Sequence, residues 1–320
     1  MAKSPILQAT SSKAKRKLVF LFGPTGVGKT ELLLSLDPSR YAVVNADSIQ
    51  VYRGLDIGSA KASPELRRTF KHYLIDIEDP SEQFSVGTFL HLADEACDEI
   101  IREGKTPIIS GGTAYYFKHF LYGLPSAPPS DAKVRERIAL EVQEHGLDWA
   151  YRKLASVDPE SGRRIQKQDA YRITRALEVY EQSGKPLSTF CLPDTPRNGM
   201  EPLIIGLTRE KELLEQRIND RVERMFQEGL VEEVRGLVKQ GALASWPGMQ
   251  GIGYREFFAA MTEGEEGIPL IKAEIKRNSR LYAKRQMTFF RTFPSVTWLD
   301  PEDRSAFARR VDSFVCSSDR

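Results

Sequence analysis

The sequence predicts an α/β protein of P-loop type: a mostly parallel sheet flanked by helices, with an all-helical domain inserted into it. Three observations predict this. Short apolar runs alternate with helical periodicity from Leu18 to Leu124, the signature of βα units. The first run empties into a complete G-x-x-x-x-G-K-[ST] string at Gly23–Thr30. Strand signals then vanish between Pro125 and Asn198 before they return.

The elements follow in order. Leu18-Val19-Phe20-Leu21-Phe22 is a short apolar run ended by Gly23-Pro24, which predicts a buried strand entering a tight turn. Thr30 to Leu34 opens a helix. Ala42 to Ala46 is a second strand that delivers Asp47 and Ser48 at its end, and Leu74 to Ile77 has the pattern of a third. A helix from about Phe89 to Arg102 stops at Gly104, and Pro107-Ile108-Ile109 leads to Ser110-Gly111-Gly112-Thr113. Residues 125–198 open with Pro125, Pro128 and Pro129 and close with Pro193 and Pro196. They form the predicted helical insert, so that residues 18–124 and 199–320 make up the core and residues 1–17 a flexible N-terminus. A strand returns at Leu203 to Leu207, long helices follow, and a last strand is expected at Val296 to Leu299.

The 320 residues suit a core plus one accessory domain, and 41% hydrophobic content excludes wholesale disorder. A formal charge of +2 does not mark a nucleic-acid binder, so any RNA surface must come from local clustering. Cys97, Cys191 and Cys316 lie far apart, without zinc-ligand spacing, as expected of reduced thiols. No run spans a bilayer and no secretory signal precedes the first strand. A cytoplasmic monomer is expected.

In the loop, Gly23, Pro24, Thr25, Gly26, Val27 and Gly28 present backbone amides to phosphate oxygens. Lys29 adds a cation, and the Thr30 hydroxyl can hold Mg²⁺. The loop leaves open whether the phosphates belong to a nucleoside triphosphate or to a diphosphate leaving group. Asp47 stands at a strand's carboxyl end beside it, where ligands sit in such sheets. It can serve as a general base, as a helix cap or as a carboxylate holding Mg²⁺ through water.

Asn45 to Lys61, NADSIQVYRGLDIGSAK, resembles the signature of tRNA dimethylallyltransferases, also called tRNA isopentenyltransferases. Further matching strings follow in order: Gly111-Gly112-Thr113, Asp169 to Glu178, Gln250 to Glu256, and Tyr282 to Thr288. The resemblance runs from about Leu18 to Asp300. Tyr171 stands where the family usually has glutamine, and Phe289 where it usually has tryptophan.

The resemblance implies transfer of a dimethylallyl group from its diphosphate to N6 of the adenosine 3′-adjacent to the anticodon, with the base flipped into a channel that the diphosphate enters from the other end. It implies Asp47 as the base, with Thr113 and Arg221 as further catalytic residues. Contacts to the tRNA anticodon stem-loop would come from Asp47, Ser48, Ile49, Gln50, Thr113, Arg135, Tyr171, Arg172 and Arg175. Gln250, Gly251, Gly253, Tyr254, Arg255, Lys284, Arg285 and Gln286 would complete them.

Local charge agrees with an RNA partner. Ile271 to Arg291 carries seven Lys or Arg against one acid, with Lys272, Lys276, Arg280 and Lys284 on one helix face. Arg163 to Arg175 carries five basic residues against Asp169. Arg217, Arg221 and Arg224 also share a helix face, on which Arg217 and Arg224 are expected to be ordinary solvated surface. The chief rival is a P-loop small-molecule kinase; against it, the strand at Ile108-Ile109 ends in Ser-Gly-Gly-Thr, not in an aspartate for Mg²⁺. A third reading is a nucleotide-regulated RNA-binding protein without chemistry.

Overall fold

The computed structural model describes residues 15–260 and 267–317. The chain divides into two compact units, one of residues 1–121 with 197–320 and one of Tyr122–Pro196.

The larger unit begins with β1 (Arg16–Phe22), α1 (Lys29–Leu33), β2 (Tyr41–Asn45), α2 (Pro64–Thr69), β3 (His72–Tyr73), α3 (Val86–Arg102), β4 (Thr106–Gly111) and α4 (Ala114–Tyr122). The smaller unit holds α5 (Ala132–His145), α6 (Leu147–Val157), α7 (Pro159–Arg164) and α8 (Ala170–Ser183). The larger unit resumes with β5 (Met200–Leu207), α9 (Lys211–Gln227), α10 (Leu230–Lys239), α11 (Arg255–Ala260), α12 (Ile268–Phe290), β6 (Thr297–Leu299) and α13 (Arg304–Cys316).

Among the described residues the strands form one six-stranded sheet in the order β3-β2-β4-β1-β5-β6. Every pairing is parallel. Leu18 to Phe22 of the central β1 have no exposed surface, because helices cover both faces of such a sheet. In register, Phe22 lies level with Gly111 on β4 and with Gly206 on β5. The carboxyl ends of the three middle strands therefore meet where the chain turns from one side of β1 to the other, the place for a ligand in this architecture. Beside them, Phe290 of α12 stacks on Phe22 at 4.3 Å and 6°.

Two expectations need correction. The third strand is His72–Tyr73, not Leu74 to Ile77: Leu74 and Asp76 have φ values of 62° and 56°, which end an extended run. Leu74 to Glu78 instead follows the loop after β2, where Ile77 N–H donates to the Val51 carbonyl (2.9 Å), and Lys61 and Arg67 both hold the Asp76 carboxylate. At the other end, the expected flexible terminus of residues 1–17 overlaps β1. Arg16 lies opposite Met200 and pairs with Asp98 at 2.8 Å, and Lys17 donates to the Phe314 carbonyl at 3.1 Å. Residues 1–14 lie outside the described ones.

The smaller unit has a core of its own, built from Ile138, Ala150, Leu154, Ile165, Ile173, Ala176 and Leu177. Glu178, buried on α8, accepts from Asp131 N–H (2.6 Å), and Arg175 pairs with Glu178 at 2.9 Å while donating to the Pro128 carbonyl. These bonds tie the proline-rich entry segment to the bundle. No helix among the described residues is long and apolar enough to cross a membrane.

Gly111 marks the tightest backbone approach beside the site: a Cβ there would lie 2.1 Å from the Ala46 carbonyl oxygen. Gly111→Ala is expected to cost about 3 kcal/mol or more, because rigid backbone must shift. Urea unfolding followed by circular dichroism measures it, and an unchanged midpoint would contradict the tight approach.

Candidate active site

The loop after β1 turns through Gly26 and Gly28 with φ values of 77° and 115°, which only glycine adopts without strain. Its polar groups are held by distant side chains. The Lys29 ammonium donates to the carbonyls of Gly23 (2.8 Å) and Pro24 (3.0 Å). Arg221 of α9 donates to the Thr25 hydroxyl (2.9 Å), and one turn earlier Arg217 donates to the Gly26 carbonyl (3.0 Å) and pairs with Glu31 (2.8 Å). Arg209 donates to the Val27 carbonyl (3.3 Å) and pairs with Glu302 (2.7 Å). Cations thus surround the loop and hold its shape, and the site favours an anion before any ligand arrives. Burial, and then the nearby Arg221 charge, lower the Lys29 ammonium to about 8.

Asp47 follows β2 across the same cavity, whose volume is ≈ 1040 Å³ and whose lining includes Lys29, Asp47, Gln50, Arg221 and Tyr282. One Asp47 oxygen accepts from the N–H of Ile49 (3.0 Å) and Gln50 (3.4 Å), which fixes the carboxylate and builds a turn. Thr113 anchors that turn: its Oγ1 accepts from Ser48 N–H (3.0 Å). Tyr282 of α12 is partly buried, and burial, with Asp47 nearby, pushes its hydroxyl up to about 12. Thr30, the residue proposed for Mg²⁺, is exposed at the start of α1. No group of three or more His, Cys, Asp or Glu placed to hold a metal occurs among the described residues. Thr30 and Asp47 line the same cavity, and Mg²⁺ takes only one or two protein ligands, completing its shell with water and phosphate oxygens.

The structure brings Asp47, Ser48, Ile49, Gln50, Gln250, Gly251, Arg255, Arg285 and Gln286 to this cavity. It gives several of them roles other than RNA contact. Tyr254 is fully buried; its hydroxyl donates to Glu233 (2.8 Å) and accepts from Ser59 N–H (3.2 Å). The Glu233 carboxylate also receives the N–H of Asp56, Ile57 and Gly58 at 2.8–3.1 Å, so the pair clamps the loop that follows Asp47. Gly251 and Gly253 are likewise buried under that loop. Gln286 is 4% exposed and bonds the phosphate loop. Arg175 is spent on Glu178 and Pro128, as described above. The stripe on α12 faces α9: Lys272 and Lys276 both pair with Glu223, and Arg280 donates to Asn219 (2.6 Å). Lys284 and Arg285 stay exposed, as do Arg135, Tyr171 and Arg172 in the smaller unit. Arg217 is a loop clamp and not solvated surface, whereas Arg224 is exposed. Sequence reading missed Arg209 and Glu233, whose partners are remote in the chain, and gave Tyr282 no role beyond its place in a matching string.

A family model described as IPP transferase matches residues 50–293. The tRNA dimethylallyltransferase of Borrelia hermsii is 42% identical over 291 residues, 90% of this chain and 96% of that one. That of Geobacter metallireducens is 43% identical over 290 residues, 89% and 93% of the two chains. Among solved structures, a tRNA isopentenylpyrophosphate transferase of Bacillus halodurans superposes with a TM-score of 0.67 at 34% identity, covering 94% of this chain and 97% of that one. A eukaryotic dimethylallyltransferase acting on tRNA gives 0.74 at 25% identity, covering 94% and 77%.

Lys29 makes anion binding depend on pH. With the free ammonium near 8, a bound diphosphate raises it, so binding takes up a proton. Affinity for methyl diphosphate is expected to be full below pH 8 and to fall as pH rises through it, by up to roughly tenfold per unit. Calorimetry in buffers of different ionisation enthalpy reads the uptake; pH-independent affinity between 7 and 9.5 would sink the assignment.

Proposed function

This chain belongs to the IPP transferase family, and from that premise we propose that it is a tRNA dimethylallyltransferase that modifies the adenosine 3′-adjacent to the anticodon. One observation carries the assignment of roles: Lys29, Arg221 and Asp47 open onto a single cavity. A cationic cradle and a fixed carboxylate are what an amine needs to displace a diphosphate. The adenine N6 attacks C1 of dimethylallyl diphosphate. The N–C bond forms as the C–O bond breaks, the electron pair leaves on the diphosphate oxygen, and the N6 proton passes to Asp47.

The phosphate loop, Lys29 and Arg221 hold the leaving group, and their fixed charge is the largest catalytic contribution because it acts where charge develops. Thr30, with Asp47, would hold Mg²⁺, which when bound would neutralise diphosphate charge. The unit of Tyr122–Pro196, the helical insert, grips the anticodon stem-loop. Tyr171, 79% exposed, and the exposed Arg163, Arg164, Lys167 and Arg172 support that reading. The target base must leave its stack to reach Asp47. One chain acting alone in the cytoplasm suffices for this chemistry.

The test is incubation of the purified protein with dimethylallyl diphosphate and an anticodon stem-loop RNA, read by mass spectrometry of the digested nucleosides, with ATP in a parallel arm. Prenylated adenosine is expected, with no phosphoryl transfer; ATP-dependent phosphorylation without prenylation would overturn the reading in favour of a kinase.

Asp47→Asn keeps the acceptor for Ile49 but removes the base, so single-turnover transfer should fall on the order of a hundredfold to ten-thousandfold with diphosphate affinity kept. Near-normal turnover would refute the base. Arg221→Ala should slow the chemical step most, Arg217→Ala less and Arg224→Ala least, with Arg221→Lys only a partial substitute for the planar fork. Equal losses at all three positions would contradict the order. Tyr171→Ala should raise the KM for RNA roughly five- to hundredfold if the ring stacks on a base, and Tyr171→Phe should not; an unchanged KM in Tyr171→Ala removes Tyr171 from the interface.

A further inference from the structure

We propose that Gln286 is a positioning residue for prenyl transfer, a buried strut that fixes the diphosphate cradle at a set distance from the Asp47 turn. The inference rests on the function proposed above. It replaces the RNA contact that sequence resemblance implies for this residue.

The Gln286 amide works in both directions. Its Oε1 accepts from Thr25 N–H in the phosphate loop (2.9 Å), and its Nε2 donates to the Gly112 carbonyl (2.7 Å). Only a head group with donor and acceptor side by side can bridge an N–H and a carbonyl in this way. Gly112 leads into Thr113, whose N–H donates to the Ala46 carbonyl (3.1 Å) and whose Oγ1 receives Ser48 N–H (3.0 Å). Ala46 and Ser48 flank Asp47. A continuous set of hydrogen bonds therefore runs from Thr25 through Gln286, Gly112 and Thr113 to both neighbours of the base.

The strut is rigid at its root. One turn further along α12, Phe290 stacks on Phe22, the last residue of the strand that feeds the phosphate loop. Gly112 also leaves room for the amide, since a Cβ there would lie 2.5 Å from Gln286 Nε2. At 4% exposure, Gln286 presents almost no surface to an RNA. It touches neither reacting atom, so its effect must pass through the geometry of Thr25 and Asp47, to which transfer rates are steeply sensitive.

Three variants of the full chain test this. Gln286→Leu removes both bonds. Gln286→Glu keeps the acceptor for Thr25 but sets a carboxylate against the Gly112 carbonyl. Gly112→Ala pushes the amide aside without altering residue 286. The readouts are the single-turnover rate at saturating RNA, the Kd for dimethylallyl diphosphate, the KM for stem-loop RNA and the thermal midpoint. Gln286→Leu is expected to lose roughly thirty- to hundredfold in rate, with Kd within about threefold and the KM unchanged. Gly112→Ala should lose rate in the same pattern, and it decides the matter if Gln286→Leu does not fold. Gln286→Glu should recover, relative to the unaltered enzyme at the same pH, as pH falls and the protonated carboxyl regains a donor. A raised KM for RNA at normal saturated rate would overturn the proposal in favour of an RNA contact, and normal values throughout would overturn it outright. An unaltered enzyme inert toward dimethylallyl diphosphate would instead count against the proposed function.

Discussion

The phosphate loop does not hold its own shape. Its backbone runs through left-handed glycines and exposes polar groups of which Lys29 and the Val27 N–H meet only some. Arg209 and Arg217 donate to the Val27 and Gly26 carbonyls, Arg221 donates to the Thr25 hydroxyl and Gln286 accepts the Thr25 N–H, at 2.9 to 3.3 Å, from β5's exit, α9 and α12. The rest of the larger unit can be understood from this requirement. The register that levels Phe22 with Gly206 brings the exit of β5 to the loop, and the stacked pair of Phe22 and Phe290 brings the end of α12 to it. Burying cations around one loop is costly unless acids share the site. Glu31 and Glu302 do so here, and Glu223 takes the lysines of α12 on the far side of α9.

The site opposite follows the same logic with opposite sign. Asp47 is a carboxylate held by its own backbone turn, and the loop that follows that turn is clamped in its own right. Glu233 collects three successive amides and the Tyr254 hydroxyl, while Lys61 and Arg67 meet on Asp76. An acid faces a basic cradle across open space, with the side chains of each fixed by partners in the surrounding loops. Such preorganisation lets charge develop in the reaction without the protein having to move.

The sequence made the sheet, the phosphate loop and Asp47 legible because their signals are local: an apolar run, a glycine spacing, a carboxylate at a strand end. The third strand misled because Leu74 to Ile77 has strand composition, and its bend is imposed by Lys61 and Arg67 acting on Asp76. The basic stripe of α12 misled for a related reason. Periodicity places Lys272, Lys276 and Arg280 on one face but cannot say that Glu223 and Asn219 lie against it. Tyr254 and Gln286 were legible as motif members but not in their roles, and Arg217 was read as solvated surface, since each bonds a partner between 191 and 261 residues away.

The distance in sequence between the loop and its clamps bears on how the protein comes into being. Residues 23–30 leave the ribosome early, but Arg217 follows about 190 positions later and Gln286 about 260 positions later. Contacts of such high order form late in synthesis. The helices of Tyr122–Pro196 close on neighbours within their own stretch and can pack first. A nascent chain therefore carries the phosphate-binding string for most of its elongation before the side chains that hold its shape have been made.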